Sequence, residues 1–149
     1  MDVDYEIYAE GEAELGWLNA QVSVQSQKPF DLDGFLMALL VQVNNLLEKE
    51  SAEVAHLKVI GMANGKYSVA NLVSSSSPPK LSIGANYQAS QADVVINARV
   101  AVDPETLTDA IKATLTSVCD ALGVEFTINT LQSFRPGKPV PTHRLEESR

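Results

Sequence analysis

The chain has little of what reaction centres are made from. Its 149 residues include one cysteine, Cys119, and two histidines, His56 and His143. A lone cysteine closes no intrachain disulfide, so burial must hold the fold, and a reducing compartment is expected. Transition-metal sites need clustered ligands, and these three residues are far apart with no paired spacing. The first fourteen residues carry six acids and no base, which is not the pattern of a secretory leader. The longest apolar run, around Phe35–Val41, is far too short to span a bilayer. We expect a cytoplasmic protein.

Catalytic motifs are missing as well. A phosphate loop needs G-x-x-x-x-G-K-[ST] between a strand and a helix. "GMANGKY", residues 61–67, is one spacer short, continues with tyrosine and reads as a hairpin. A nucleophile needs a positioned base, but the serines concentrate in one loop and the two histidines form no pattern with them. The acidic run Asp2, Asp4, Glu6, Glu10, Glu12 and Glu14 lacks the glycine turn and ordered ligands of a calcium loop. No catalytic residue, metal ligand or cofactor is expected.

Charge of one sign prevails. The net charge is −8 and the pI is about 4.6. Nucleic-acid binding draws its affinity from cationic contacts with phosphates, so an acidic body argues against it. Anionic membranes are disfavoured for the same reason.

What is present is a normal core. Hydrophobic residues make up 45% of the chain, and a chain of this length buries roughly 68–70% of its unfolded surface. "NAQVSV", residues 19–24, returns as "NARVAV", residues 97–102, each time ahead of a helix. In the first copy Ala20, Val22 and Val24 alternate with Gln21, Ser23 and Gln25, the pattern of a half-buried strand over 15–25. "KPFD" is expected to break that strand, with Asp31 capping a helix over 31–49. Leu32, Phe35, Leu36, Leu39, Leu40, Val43, Leu46 and Leu47 give the helix one broad apolar face.

A strand over 54–60 follows. Asn64-Gly65 signals a hairpin into a partner strand carrying Tyr67, Val69 and Val73. "SSSSPPK", residues 74–80, reads as a loop. "LSIGANY" reads as a short edge strand and "ADVVINARVAV" as a longer one. The second helix is well punctuated: Asp103 at the N-cap, Pro104 and Glu105 in the first turn, Gly123 at the C-terminal stop. Leu107, Ile111, Leu115, Val118 and Leu122 form its apolar stripe, with Cys119 half covered beside it. The last strand, over 124–131, turns Val124, Phe126 and Ile128 to one side.

Strand 19–24, helix 31–49 and strand 54–60 make one unit. Strand 97–102, helix 103–122 and strand 124–131 make another. Two such units in series predict an α+β fold: a ferredoxin-like split βαβ sandwich, with an antiparallel sheet, an inserted hairpin and two helices on one face. The expected organisation is an acidic arm or edge strand over 1–14, one domain over 15–132, and a basic, proline-rich tail over 133–149. Asn19, Asn97 and Arg99 are candidates for orienting a ligand, although an asparagine at a strand start more often bonds nearby backbone. The tail, "SFRPGKPVPTHR" at its core, holds Arg135, Lys138, His143 and Arg144 with no acid. Its prolines favour an extended path that loses little entropy on docking, with Phe134 as an anchor.

"HLKV" (56–59), "NARV" (97–100), "VDPETL" and the closing "FRPGKPVPTHR" resemble features of the C-terminal accessory region of CobW-type metallochaperone GTPases. That family's phosphate loop, magnesium-binding acid and cysteine-rich metal motif have no counterpart here. The resemblance therefore implies only a regulatory or docking module without its motor.

Three functions are expected in order. The first is a non-catalytic interaction module that docks on a protein partner, such as a metal-handling GTPase, or forms a homodimer through an open sheet edge. The second is a small-ligand sensor or carrier with a cleft between the sheet and the loop over residues 74–90. The third is an enzyme whose site forms at a dimer interface.

Overall fold

Hydrophobic alternation and helical periodicity divide the described residues into eight elements. The computed structural model describes residues 15–136. Strands β1 (Gly16–Asp31), β2 (Glu53–Ala63), β3 (Lys66–Leu72), β4 (Lys80–Ile83), β5 (Gln88–Ala101) and β6 (Glu125–Phe134) are joined with helices α1 (Leu32–Lys49) and α2 (Pro104–Leu122). The strands form one open sheet in the order β4-β3-β2-β5-β1-β6. Every pairing in it is antiparallel. The architecture is α+β. Strands β1 and β2, linked by α1, enclose β5, and strands β5 and β6, linked by α2, enclose β1.

The repeated segments meet at their first residues and run apart from there, so residues 20–24 pair with 92–96 and not with the second copy. Asn19 pairs with Asn97, Val22 with Val94 and Ala20 with Ile96 at the centre of the sheet. Alternate residues of β1 and β5 (Leu18, Ala20, Val22, Val24, Val94, Ile96, Ala98, Val100) enter one core with Phe35, Leu36, Leu39, Leu40, Leu107, Ile111 and Leu115. Both helices therefore cover the same face. Gly61 sits where α1 comes closest to β2: a Cβ there would meet Leu32 and Leu36 methyls at 3.0 Å.

Four expectations need correction. The strand does not end at "KPFD": β1 runs on to Asp31. Its pairing with β5 shifts between Gln25 and Phe30 and resumes at Phe30↔Ala89, so Pro29 lies in an unpaired stretch where a missing N–H breaks no ladder bond. Asp31 makes no side-chain cap to α1. The carboxylate that works there is Asp33. Its Oδ1 accepts from Ser68 Oγ at 2.6 Å and from the Ala85 amide at 2.9 Å, and its Oδ2 accepts from the Asn86 amide at 2.9 Å. Partial burial works against the charged form, but these three bonds outweigh it and hold the carboxyl below its ordinary pKa. Leu122 does not join the core and is 48% exposed, because the helix stops at Gly123 and leaves it outside the stripe. Cys119 is fully buried rather than half covered.

The second helix is built as its sequence predicts. The Asp103 carboxylate accepts from the Thr106 amide at 2.9 Å, and Gly123 takes the left-handed conformation at φ 71°.

Candidate interaction surface

Strict alternation hides one face of the sheet under the helices and leaves the other without a covering layer among the described residues. The register orders the open face into rows. Along the first, Phe134, Trp17, Arg99 and His56 are cross-strand neighbours. The Trp17 and Phe134 ring centroids are 6.0 Å apart, and the Arg99 guanidinium lies 4.4 Å from the Trp17 ring centroid. This is a cation–π stack. The Trp17 indole N–H is buried with no acceptor among the described residues.

The next row is polar: Gln132, Asn19, Asn97, Lys58 and Asn71. Asn97 Nδ2 donates to Asn19 Oδ1 at 2.7 Å. His56 Nε2 donates to Asn71 Oδ1 at 3.0 Å, and Asn71 Nδ2 donates to Ser82 Oγ at 2.8 Å. Beyond it, Val95, Ile60 and Val69 form an apolar band that continues to Ile83, itself 53% exposed.

Charge is divided between the two sides. Asp33, Glu48, Glu105, Asp109 and Asp120 lie on the helices against Lys49 and Lys112. On the open face Arg99 and Lys58 share the end where β1 begins with Glu53, which stands opposite Ala101, and Asp93 stands at the other end beside Ser23 and Met62.

The two edges of the sheet differ. Strand β4 has four residues, follows Pro78-Pro79, starts with Lys80 and is exposed throughout. Short length, proline and lysine all blunt an edge against foreign strands. Strand β6 has ten residues, "EFTINTLQSF", with neither proline nor lysine. Its one irregularity is a register shift opposite Gln21/Val22 that leaves Asn129 unpaired.

Two open hollows accompany the far end of the sheet. One, of about 440 Å³, is lined by Ser23, Met62, Asn64, Asp93, Glu125 and Thr127, among others. The other is lined by the Gln25–Lys28 stretch and the end of α2. Of the residues 74–90 expected to cover a cleft, only Ser90 lines either hollow, the second. That segment is tied down at both ends: Ser75 binds the Val54 amide and Asn44, and Asp33 holds Ala85 and Asn86. Among the described residues no group of three or more His, Cys, Asp or Glu could hold a metal ion. No described helix is long and apolar enough to cross a membrane.

Of the residues singled out from sequence, Asn19, Asn97 and Arg99 share the open face. The two asparagines bond each other rather than local backbone. Phe134 ends β6 against Trp17, and Arg135 follows it. Lys138, His143 and Arg144 lie outside the described residues. Sequence reasoning missed Trp17, Lys58 and the long β6 edge. The signal for Trp17 was available, because the chain's single tryptophan has the parity of the polar face of its strand.

No family model matches this chain, and no curated protein does. Among solved structures it is similar to a hydantoinase/carbamoylase family amidase from Burkholderia ambifaria, with TM-score 0.50 and 12% identity over 83% of this chain and 31% of that one. It is also similar to AtUAH in complex with glyoxylate, with TM-score 0.48 and 15% identity over 83% of this chain and 29% of that one. The chain thus spans less than a third of the length of these proteins, and at such identity the likeness is one of fold. The resemblance to CobW accessory regions does not hold: the fold is similar to that of a hydantoinase/carbamoylase family amidase. Its motifs were generic. "HLKV" and "NARV" place Leu57, Val59, Ala98 and Val100 in the core as any half-buried strand would, and "VDPETL" is an ordinary helix start.

Proposed function

We propose that this chain is a non-catalytic interaction module that self-associates by pairing β6 with β6 of a second copy. The observation that carries this reading is the asymmetry of the sheet edges: β4 is short and blunted, while β6 offers ten residues of strand without a protecting lysine or proline. Antiparallel pairing about a two-fold axis would satisfy β6's outward backbone groups and join two sheets into one. The order β6-β1-β5-β2, with each helix bridging a third strand, supports a ferredoxin-like core in which β3 and β4 are the insertion. The likeness to an amidase-family chain is compatible with a module and brings no activity with it.

In this reading residues 1–14 and the tail beyond β6 are arms on one domain, the tail starting after Phe134 and not at 133 because Ser133 and Phe134 still pair with β1. The tail leaves from the end of the β6 interface. Its Lys138, His143 and Arg144 would meet the acidic helices of the partner copy, with the half-exposed Phe134 beside them.

The test is sedimentation velocity across the micromolar range on the full chain and on the double variant T127K/T130K. Both threonines are exposed on β6, so the fold should tolerate lysine, while two-fold pairing would bring like charges together. The wild type should run at twice its 16.1 kDa mass and the variant as a monomer. A monomeric wild type, or a variant that stays dimeric, refutes the proposal.

A further inference from the structure

The open face has an occupant within the chain itself. We propose that the acidic segment 1–14 lies across the β1-start end of the open face, its carboxylates against Lys58 and Arg99. Four observations support this. First, the charges match: residues 1–14 hold six acids and no base, and this end of the face presents Arg99 and Lys58 against Glu53, opposite Ala101, with neither cation in an ion pair among the described residues. The helix side, where Asp33, Glu48, Glu105, Asp109 and Asp120 gather, would repel the same segment.

Second, the reach is right. Lys58 is two strands from β1 (β1, β5, β2), about 10 Å at ~4.8 Å per strand. Four extended residues cover about 13 Å, so Glu10, Glu12 and Glu14 suffice and the segment need not run its full length. Third, the entry point is already shielded. Leu15 is buried although it stands outside the core cluster beneath the helices, and the Trp17 indole N–H is buried without an acceptor. A carboxylate or carbonyl from the neighbouring segment is the kind of group that donor lacks. Fourth, the face suits an extended chain. Val3, Tyr5 and Ile7 alternate with acids, matching a surface on which the apolar band of Val95, Ile60 and Val69 adjoins the polar row of Asn19, Asn97 and Asn71.

This inference does not rest on β6 pairing, because the open face and the edge are different surfaces.

Trp17 is the chain's single tryptophan and makes the test direct. Acrylamide quenching of Trp17 fluorescence is measured on the full chain, on the charge reversal E10K/E12K/E14K, on Lys58→Glu, and on the two combined. Lys58 is no register neighbour of Trp17, so its reversal leaves the indole's own contacts alone. The arm reversal should raise the quenching constant about two-fold, as should molar salt on the wild type. Adding Lys58→Glu to the arm reversal should bring the constant back toward the wild-type value. Unchanged quenching on arm reversal overturns the proposal. So does an equal rise with and without Lys58→Glu, which would place the arm's partner elsewhere, such as the basic tail. Thermal melts of all four proteins confirm that each is folded.

Discussion

Replacing Asp33 by alanine removes one carboxylate that joins three parts of the fold: the first turn of α1, the buried hydroxyl of Ser68 on β3, and the amides of Ala85 and Asn86 after β4. Ser68 is fully buried. Its hydroxyl, deprived of a charged acceptor, costs about 1–3 kcal/mol. The two amides lie nearer to solvent and regain water, so each contributes about 0.5 kcal/mol net. The expected loss is therefore about 3 kcal/mol, read as a lower urea midpoint at unchanged m-value. It should appear as a fall in Tm of about 6–12 °C. In the double variant with Ser68→Ala the orphaned hydroxyl is gone, so the combined loss should fall short of the sum by about 1–2 kcal/mol. The effect also has a pH signature. Asp33's folded pKa is depressed, so its contribution is full above the unfolded carboxylate value of about 3.9. It fades as the pH falls through the lower folded value. The stability gap between wild type and Asp33→Asn should accordingly close in strong acid. An Asp33→Ala loss below about 0.5 kcal/mol, or full additivity with Ser68→Ala, would refute this account of the latch.

Other expectations follow from the same coordinates. Burial, then the Asp120 charge, pushes the Cys119 thiol up to about 11, so a thiol reagent at neutral pH should label it only at the rate of unfolding; fast labelling of native protein would contradict its burial. Leu115→Ala should cost about 2–5 kcal/mol, while Leu122→Ala, at a site 48% exposed, should cost well under about 1 kcal/mol in the same urea titration. Gly61→Ala should destabilise by about 1–3 kcal/mol, because Leu32 and Leu36 stand 3.0 Å from the added methyl. Gly123→Ala meets no neighbour but is held at φ 71°, so it should lose about 1 kcal/mol from backbone strain alone.

Much of this protein was legible along the chain because local rules govern it. Period-two alternation marked β1 and β5 and assigned Ala20, Val22 and Val24 to the core. Helical spacing marked both helices. Asp103, Pro104 and Gly123 fixed the ends of α2, since each acts through backbone groups within four residues of itself. The repeat of "NA-x-V-x-V" announced two equivalent units, and the structure places their strands next to each other, with the two asparagines paired.

What local rules could not decide depended on neighbours far along the chain. Pro29 is tolerated because the ladder is open at that point, which only the pairing of β1 with β5 reveals. Asp33 rather than Asp31 carries the work at the start of α1, because its partners lie 35 and 52 residues away. Alternation says that Trp17, Asn19 and Arg99 share the polar side of their strands. Only the strand order says that they share one face with Lys58, that among the described residues this face has no helical cover, and that β6 is an edge. The sequence by itself determined which residues turn inward, because that choice follows from the period of each element. The tertiary structure decided which strands are neighbours, and so which surfaces remain for a partner, because pairing is a contest among distant segments that no local pattern records.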